Sequence, residues 1–212
     1  MPIEIPQAQI NYFDEHGYLE LEDYLTESQV ASLHAIIETH IDTTSFDTAY
    51  MTGHDLWRKD PAIKKIAFNR DLANIFSELT KVRPLRFGFD QILYAKDTSK
   101  FPFTKQPTAL KDMCSLGPPA GGVLINLSKS MPQTEEPLPH APGSILLFKD
   151  KLPISFPTLL GEPGGIFLLI AYCHVKPLYI ECKNDPHLHY LKSLGYTMGD
   201  HLTLDTHPLL IK

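Results

Sequence analysis

Apolar positions recur at helical spacing over residues 8–16, and Gly17 follows as a residue free to adopt the left-handed conformation that closes a helix. Tyr18-Leu19-Glu20-Leu21-Glu22 then alternates like a strand with one buried face. Thr26 and Gln29 make a capping-box signature, and behind it Val30, Leu33, Ile37 and Ile41 return to one face of a helix. Asp60-Pro61 and Asn69 open two shorter helices, the second carrying Leu72, Ile75, Phe76 and Leu79 toward a core.

After Lys81 the period changes. Short apolar runs at 86–96, 122–127, 144–148 and 165–175, set between glycines and prolines, predict strands. Several strands after several helices, without regular alternation, predict an α+β fold with antiparallel pairing and not a doubly wound parallel sheet. Asp185-Pro186 predicts a last helix ending at Gly195, and the weakly alternating tail 202–211 is assigned to a sheet edge. The proline-rich, acidic stretch 131–142 predicts a loop, and Gly117-Pro118-Pro119 with Gly121-Gly122 a tight turn before a strand. No repeat, heptad or long linker divides the chain. A single domain is expected over 1–212: a mainly helical part (1–81), a β core (82–183), and a C-terminal helix and tail (184–212).

Composition narrows the function classes. With 212 residues, 43% of them hydrophobic and 21% charged, the chain suits one ordinary globular core. A net charge of -6 argues against a nucleic-acid partner, which needs a dense Lys/Arg surface. Arg58, Lys59, Lys64 and Lys65 read as a solvated helix face. Cys114, Cys173 and Cys182 are odd in number and lack CxxC spacing, so neither a disulfide framework nor a zinc site is indicated. The longest apolar stretch, 165–172, is too short to cross a bilayer. No membrane partner and a reducing, cytoplasmic location are expected.

Several segments together resemble the phytanoyl-CoA dioxygenase family. They are Tyr12-Phe13-Asp14-Glu15-His16-Gly17-Tyr18-Leu19 with Leu25-Thr26-Glu27-Ser28-Gln29-Val30 at the start, and Asn69-Arg70-Asp71-Leu72-Ala73-Asn74-Ile75-Phe76 before the strands. Gln91-Ile92-Leu93-Tyr94-Ala95-Lys96, Gly122-Val123-Leu124-Ile125-Asn126-Leu127 and Pro142-Gly143-Ser144-Ile145-Leu146-Leu147-Phe148 are similar to its core strands, in the family's order. The resemblance implies a double-stranded β-helix, a jelly-roll or cupin-like barrel with N-terminal helices packed on it. It also implies Fe(II) and 2-oxoglutarate as cofactors, with iron held by a His-x-Asp pair and a distant His that leave open positions for co-substrate and oxygen.

The implied ligands are missing from their expected places. The one His-x-Asp is His40-Ile41-Asp42, at the end of the capped helix, where His suits the terminal dipole. Between Phe101 and Leu116 there is no histidine; Leu110-Lys111-Asp112, or with a small gap Gln106-Pro107-Thr108, takes the motif's place, and the first alignment leaves Asp112 as a lone carboxylate. The distal position past Phe148 reads Lys149-Asp150-Lys151-Leu152-Pro153-Ile154-Ser155-Phe156, and the 2-oxoglutarate arginine's region, Gly161-Glu162-Pro163-Gly164-Gly165-Ile166, has no basic residue.

Asp112, His140 and His174 are carried as candidates for a different metal site at the barrel rim. His187-Leu188-His189 reads as two rings on different helix faces, His201 and His207 as exposed, and Cys114 as a buried, inert thiol. Gln91, Tyr94 and Asn126 are polar on predicted core strands and are the candidates to line a pocket. The expectation is a barrel of the dioxygenase type acting as a small-molecule or protein binding module. The alternative is an active non-heme iron oxygenase with a non-standard metal site.

Overall fold

A computed structural model of the chain describes residues 5–96, 100–128, 135–161 and 164–212. Helix α1 (Gln7–His16) ends at Gly17, whose φ of 80° is left-handed, and β1 (Tyr18–Leu21) follows directly. The capping box at Thr26 forms as the sequence predicts, and α2 (Glu27–His40) buries Val30, Leu33 and Ile37. Next comes α3 (Phe46–Thr52), capped by Ser45. The spacing of apolar residues does not foretell α3, because seven residues span barely two turns and show no stable period. Asp60 and Asn69 cap α4 (Pro61–Ala67) and α5 (Arg70–Thr80) through their carboxylate and amide oxygens.

The strands are β2 (Leu85–Tyr94), β3 (Thr108–Ala109), β4 (Leu116–Asn126), β5 (Ile145–Lys149) and β6 (Pro153–Ile154). A one-turn helix α6 (Phe156–Leu159), β7 (Ile166–Tyr179), another one-turn helix α7 (Tyr190–Ser193) and β8 (Leu209–Ile211) complete the chain. Six strands form one antiparallel sheet in the order β1-β5-β4-β7-β2-β8, and β3 pairs with β6 in a separate ribbon. The tail does cover an edge: β8 pairs with β2 through Leu85 and Arg86.

Strand alternation sorts the core into two clusters, one on each face of the large sheet. Phe87, Ile92, Val123, Ile125, Ile145, Leu147, Ile166, Leu168, Ile170 and Tyr172 pack against the helices. Phe89, Leu93, Leu124, Leu146, Phe148, Phe167, Leu169 and Ala171 point the other way, onto an inner face closed by Leu110, Ile154 and Phe156 from the ribbon side. Both faces are covered, which is why these strands read as continuous apolar runs.

Two expectations change. Gly117-Pro118-Pro119 is part of β4 and not a turn before it; the pairing of β4 with β7 skips there because prolines cannot donate to the ladder. Gly121, with φ 134°, is needed at that irregularity, since a Cβ would stand 2.2 Å from the Phe148 carbonyl oxygen. The helix expected from Asp185 to Gly195 shrinks to α7, because Asp185 spends its carboxylate on Ser115 N and His187 N and holds residues 185–188 in a turn. Residues 131–134 of the expected 131–142 loop, and Glu162 and Pro163 of the arginine region, lie outside the described residues. Among the described residues no helix is long and apolar enough to cross a membrane.

Candidate functional site

The two segments that the family pattern assigns to metal ligands do meet. Thr108 pairs with Ile154 and Ala109 with Pro153, and Lys111 N donates to Asp150 O at 3.3 Å. What they bring together is hydrocarbon. Leu110 and Ile154 are 1% and 3% exposed and join Phe103, Phe156 and Leu159 in the inner cluster, with the Phe103 and Phe156 rings 5.2 Å apart. Asp112 is about half exposed beside Lys111 Nζ. Iron(II) needs imidazole or several oxygen donors to compete with water, and this donor set does not fit it.

The other metal candidates are dispersed. His140 donates twice to the Glu20 carboxylate at the β1 edge, through its backbone N (2.7 Å) and Nδ1 (2.8 Å). His174 is half-buried near the middle of β7. His40 of the His-x-Asp triplet bonds Asp60, the cap of α4, while Asp42 caps its own turn at Thr44. Among the described residues no three His, Cys, Asp or Glu side chains converge so as to hold a metal ion. The buried Arg86 is committed elsewhere: its guanidinium donates to the carbonyls of Val175, Leu202, Thr203 and His207 and so straps the C-terminal tail to the sheet.

The polar groups of the inner face gather instead at Gln91. Its neighbour segment 53–55 runs antiparallel to β2, with Ile92 N donating to Gly53 O and Asp55 N to Asp90 O. Gly53 permits this approach, because a Cβ there would lie 2.7 Å from the Ile92 Cβ. Gln91 is fully buried, and its amide nitrogen donates to Tyr50 O (2.8 Å) and Ile92 O (2.9 Å). Carbonyls only accept, so the amide orientation is set and Oε1 must face the two imidazoles beside it. His54 Nδ1 (3.1 Å) and His187 Nε2 (3.2 Å) therefore each carry a hydrogen and donate to that one oxygen.

Three rings form a column: His187 stacks on His54 at 4.0 Å and 19°, and on Tyr50 at 5.2 Å and 15°. Burial keeps both imidazoles neutral, pushing His54 down to about 4 and, with His54 adding to it, His187 to about 3. Behind them Asp55 accepts from Trp57 Nε1, Arg58 Nε and Tyr190 Oη, while Asp90 accepts from Leu56 N and Trp57 N. Burial, with the Asp55 charge nearby, raises the Asp90 carboxyl to about 7. Beside the rings lies a cavity of about 30 Å³, with Cys114, Ser115, Asp185 and His207 among its walls. Burial pushes the Cys114 thiol far above its ordinary range, leaving it unreactive.

Of the pocket-lining candidates, Gln91 holds this cluster. Asn126 shares the inner face but ties Pro139 O and Ser128 N at the end of β4, and Tyr94 packs on the helical side. His207 is not exposed as the sequence suggests but 3% exposed, its carbonyl strapped by Arg86, and His187, read from the sequence as one of two rings on different helix faces, is inserted into the ring column. No local pattern marks either, because each lies about 100 residues or more from the β2 residue that its segment bonds.

No family model and no curated protein matches the chain. Solved structures do. The non-heme α-ketoglutarate-dependent carbocyclase SnoK from nogalamycin biosynthesis is 14% identical with a TM-score of 0.70, covering 97% of this chain and 96% of its own. CT296 from Chlamydia trachomatis is 17% identical with a TM-score of 0.54, covering 82% of this chain and 98% of its own. EctD from S. alaskensis with bound Fe is 15% identical with a TM-score of 0.53, covering 86% and 81%. At these identities the likeness is one of fold, and the chain shares the fold of non-heme α-ketoglutarate-dependent enzymes.

Proposed function

We propose that this chain is a single-domain double-stranded β-helix of the phytanoyl-CoA dioxygenase type that binds a small molecule and does not carry out Fe(II)/2-oxoglutarate oxygenation. The observation that carries the reading is the burial of the apolar side chains of Leu110 and Ile154 across the β3/β6 ribbon, in the two segments where the resemblance implies iron ligands. Fold likeness alone does not transfer an activity, since one fold hosts many. The inner face keeps one polar, partly hollow region, at Gln91, His54 and His187, and a concave region with convergent polar groups is where a ligand is expected. The acidic net charge favours a small-molecule partner over nucleic acid, and three free cysteines suit a reducing compartment such as the cytoplasm.

Anaerobic titration of metal-free protein with Fe(II) and 2-oxoglutarate tests this. No saturable charge-transfer band and no binding heat are expected. A saturable band would overturn the reading and return Asp112, His140 and His174 to consideration as ligands of a non-standard site.

A further inference from the structure

The imidazole of His187 does not belong to the wall it completes. It comes from the 182–189 turn, is only partly buried, and reaches inward to lie flat between the rings of Tyr50 and His54. Those two rings sit on α3 and on the strand-like segment beside β2, and the acceptor at the back of the slot, Gln91 Oε1, is held by two hydrogen bonds from its own amide to backbone carbonyls. Only Oε1 of that amide is left for whatever fills the slot.

We propose that the slot between Tyr50 and His54, backed by Gln91 Oε1, is a binding site for a planar nitrogen heterocycle bearing an N–H donor, which His187 occupies as a built-in competitor. This deepens the reading of the chain as a binding barrel and rests on it. The chemistry is specific in two respects. Flat faces on both sides select a thin aromatic ring. The fixed amide oxygen accepts but cannot donate, so the ring must supply a hydrogen at that edge. A carboxylate such as that of 2-oxoglutarate is the wrong partner, because it would face an acceptor oxygen.

Size makes His187 a competitor and not a neighbour of the ligand. The remaining cavity of about 30 Å³ holds a water or two, far less than a heterocycle, so a ligand must take the place of the His187 ring. The segment carrying His187 is a turn tied down by hydrogen bonds, among them Tyr179 Oη donating to Leu188 O and Asn184 Nδ2 donating to Asp112 O. Its contacts to the rest of the fold include Asp185 Oδ2 accepting from Ser115 N, Tyr190 Oη donating to Asp55, and Leu191 in the inner cluster. A ligand entering the slot has to displace this turn and break those contacts, while Tyr50, His54 and Gln91 stay on the sheet side.

The test uses free imidazole as the probe on the full-length, metal-free chain. H187G leaves the slot empty, and imidazole at about ten times its dissociation constant is expected to raise the Tm of H187G by about 3 to 5 °C. Wild-type protein, whose slot is filled, is expected to shift by less than about 1 °C under the same conditions. N-methylimidazole bound with its methyl at the amide edge lacks the donor and is expected to bind H187G at least about tenfold more weakly. L191A, which loosens the segment and leaves Tyr50, His54 and Gln91 unaltered, provides the second variant if H187G does not fold; it is expected to gain imidazole binding that wild type lacks. Absence of an imidazole shift in both variants, or equal rescue by N-methylimidazole, overturns the proposal. Because the readout needs neither iron nor 2-oxoglutarate, its failure is separable from a positive anaerobic titration, which would overturn the binding-barrel reading itself.

Discussion

At the β3/β6 ribbon the inner face of the sheet meets Leu110, Ile154, Phe103 and Phe156; at the middle of β2 the same face meets Gln91, His54 and His187. The ribbon corner is buried and apolar. Its side chains contribute packing at roughly 1.5–3 kcal/mol for each large one buried. The β2 cluster, with Gln91 fully buried and its two rings partly so, depends on reciprocity: one amide satisfies two rings and two carbonyls, and each ring satisfies the amide. A hydrocarbon corner tolerates loss of any one contact gradually, whereas a closed polar network loses several partners at once. Polarity in this interior is concentrated at the middle of β2 and absent from the ribbon corner.

Acid should break the comparison most strongly. His54, His187 and His207 are neutral in the fold, held by burial at about 4, about 3 and about 4, against about 6.5 in the unfolded chain. Their folded values are depressed, so the unfolded chain takes up protons first as pH falls, and stability present above pH ~6.5 is lost below it. Between pH ~6.5 and ~4.5 the three cost about 2 kcal/mol each. Asp90 acts oppositely: its carboxyl is raised to about 7, so the fold keeps a proton that the unfolded chain releases, and acidification returns about 2 kcal/mol. The net loss of about 4 kcal/mol is read from urea unfolding at the two pH values, and a flat profile would mean that the rings are not buried neutral.

The ribbon is sharpened by giving it one of the missing ligands. Ile154→His places an imidazole among Leu110, Phe103 and Phe156, where none of these side chains can bond it. A loss of about 3 kcal/mol is expected from the urea midpoint, the sum of lost packing and an unsatisfied polar ring. A loss under about 1 kcal/mol would show that this corner is wet and fit for polar ligands after all.

Smaller again is the effect expected at the cluster's centre. Gln91→Leu keeps the volume and removes the shared amide, leaving His54, His187 and Tyr50 O to find water through the adjacent cavity. About 2 kcal/mol is expected, together with loss of the two slowly exchanging imidazole N–H signals in the proton NMR spectrum. Retention of those signals would mean that the rings donate elsewhere and that Gln91 does not set their tautomers.

Much of the fold is legible along the chain. Thr26, Asp60 and Asn69 mark helix starts because each cap bonds residues two or three positions ahead. The four main strands follow from apolar runs in which both faces are covered. The boundaries of β4 were less readable, since Gly117-Pro118-Pro119 signals a turn locally and becomes strand only because β7 is long enough to pair beyond it. α3 and the turn at 185–188 escaped for the same reason: short elements held by contacts to distant residues leave little periodic trace.

Residue type and local order along the chain suffice for the antiparallel α+β layout. Only the tertiary structure decided which polar residues act together. His54, Gln91 and His187 are 37 and 96 residues apart in chain, and no spacing rule relates them. They meet because Gly53 lets one segment lie against β2, and because Asp185 turns another inward on Ser115. Buried hydrogen-bonding groups must find partners wherever packing puts them, and that pairing is a property of three-dimensional neighbours and not of neighbours along the chain.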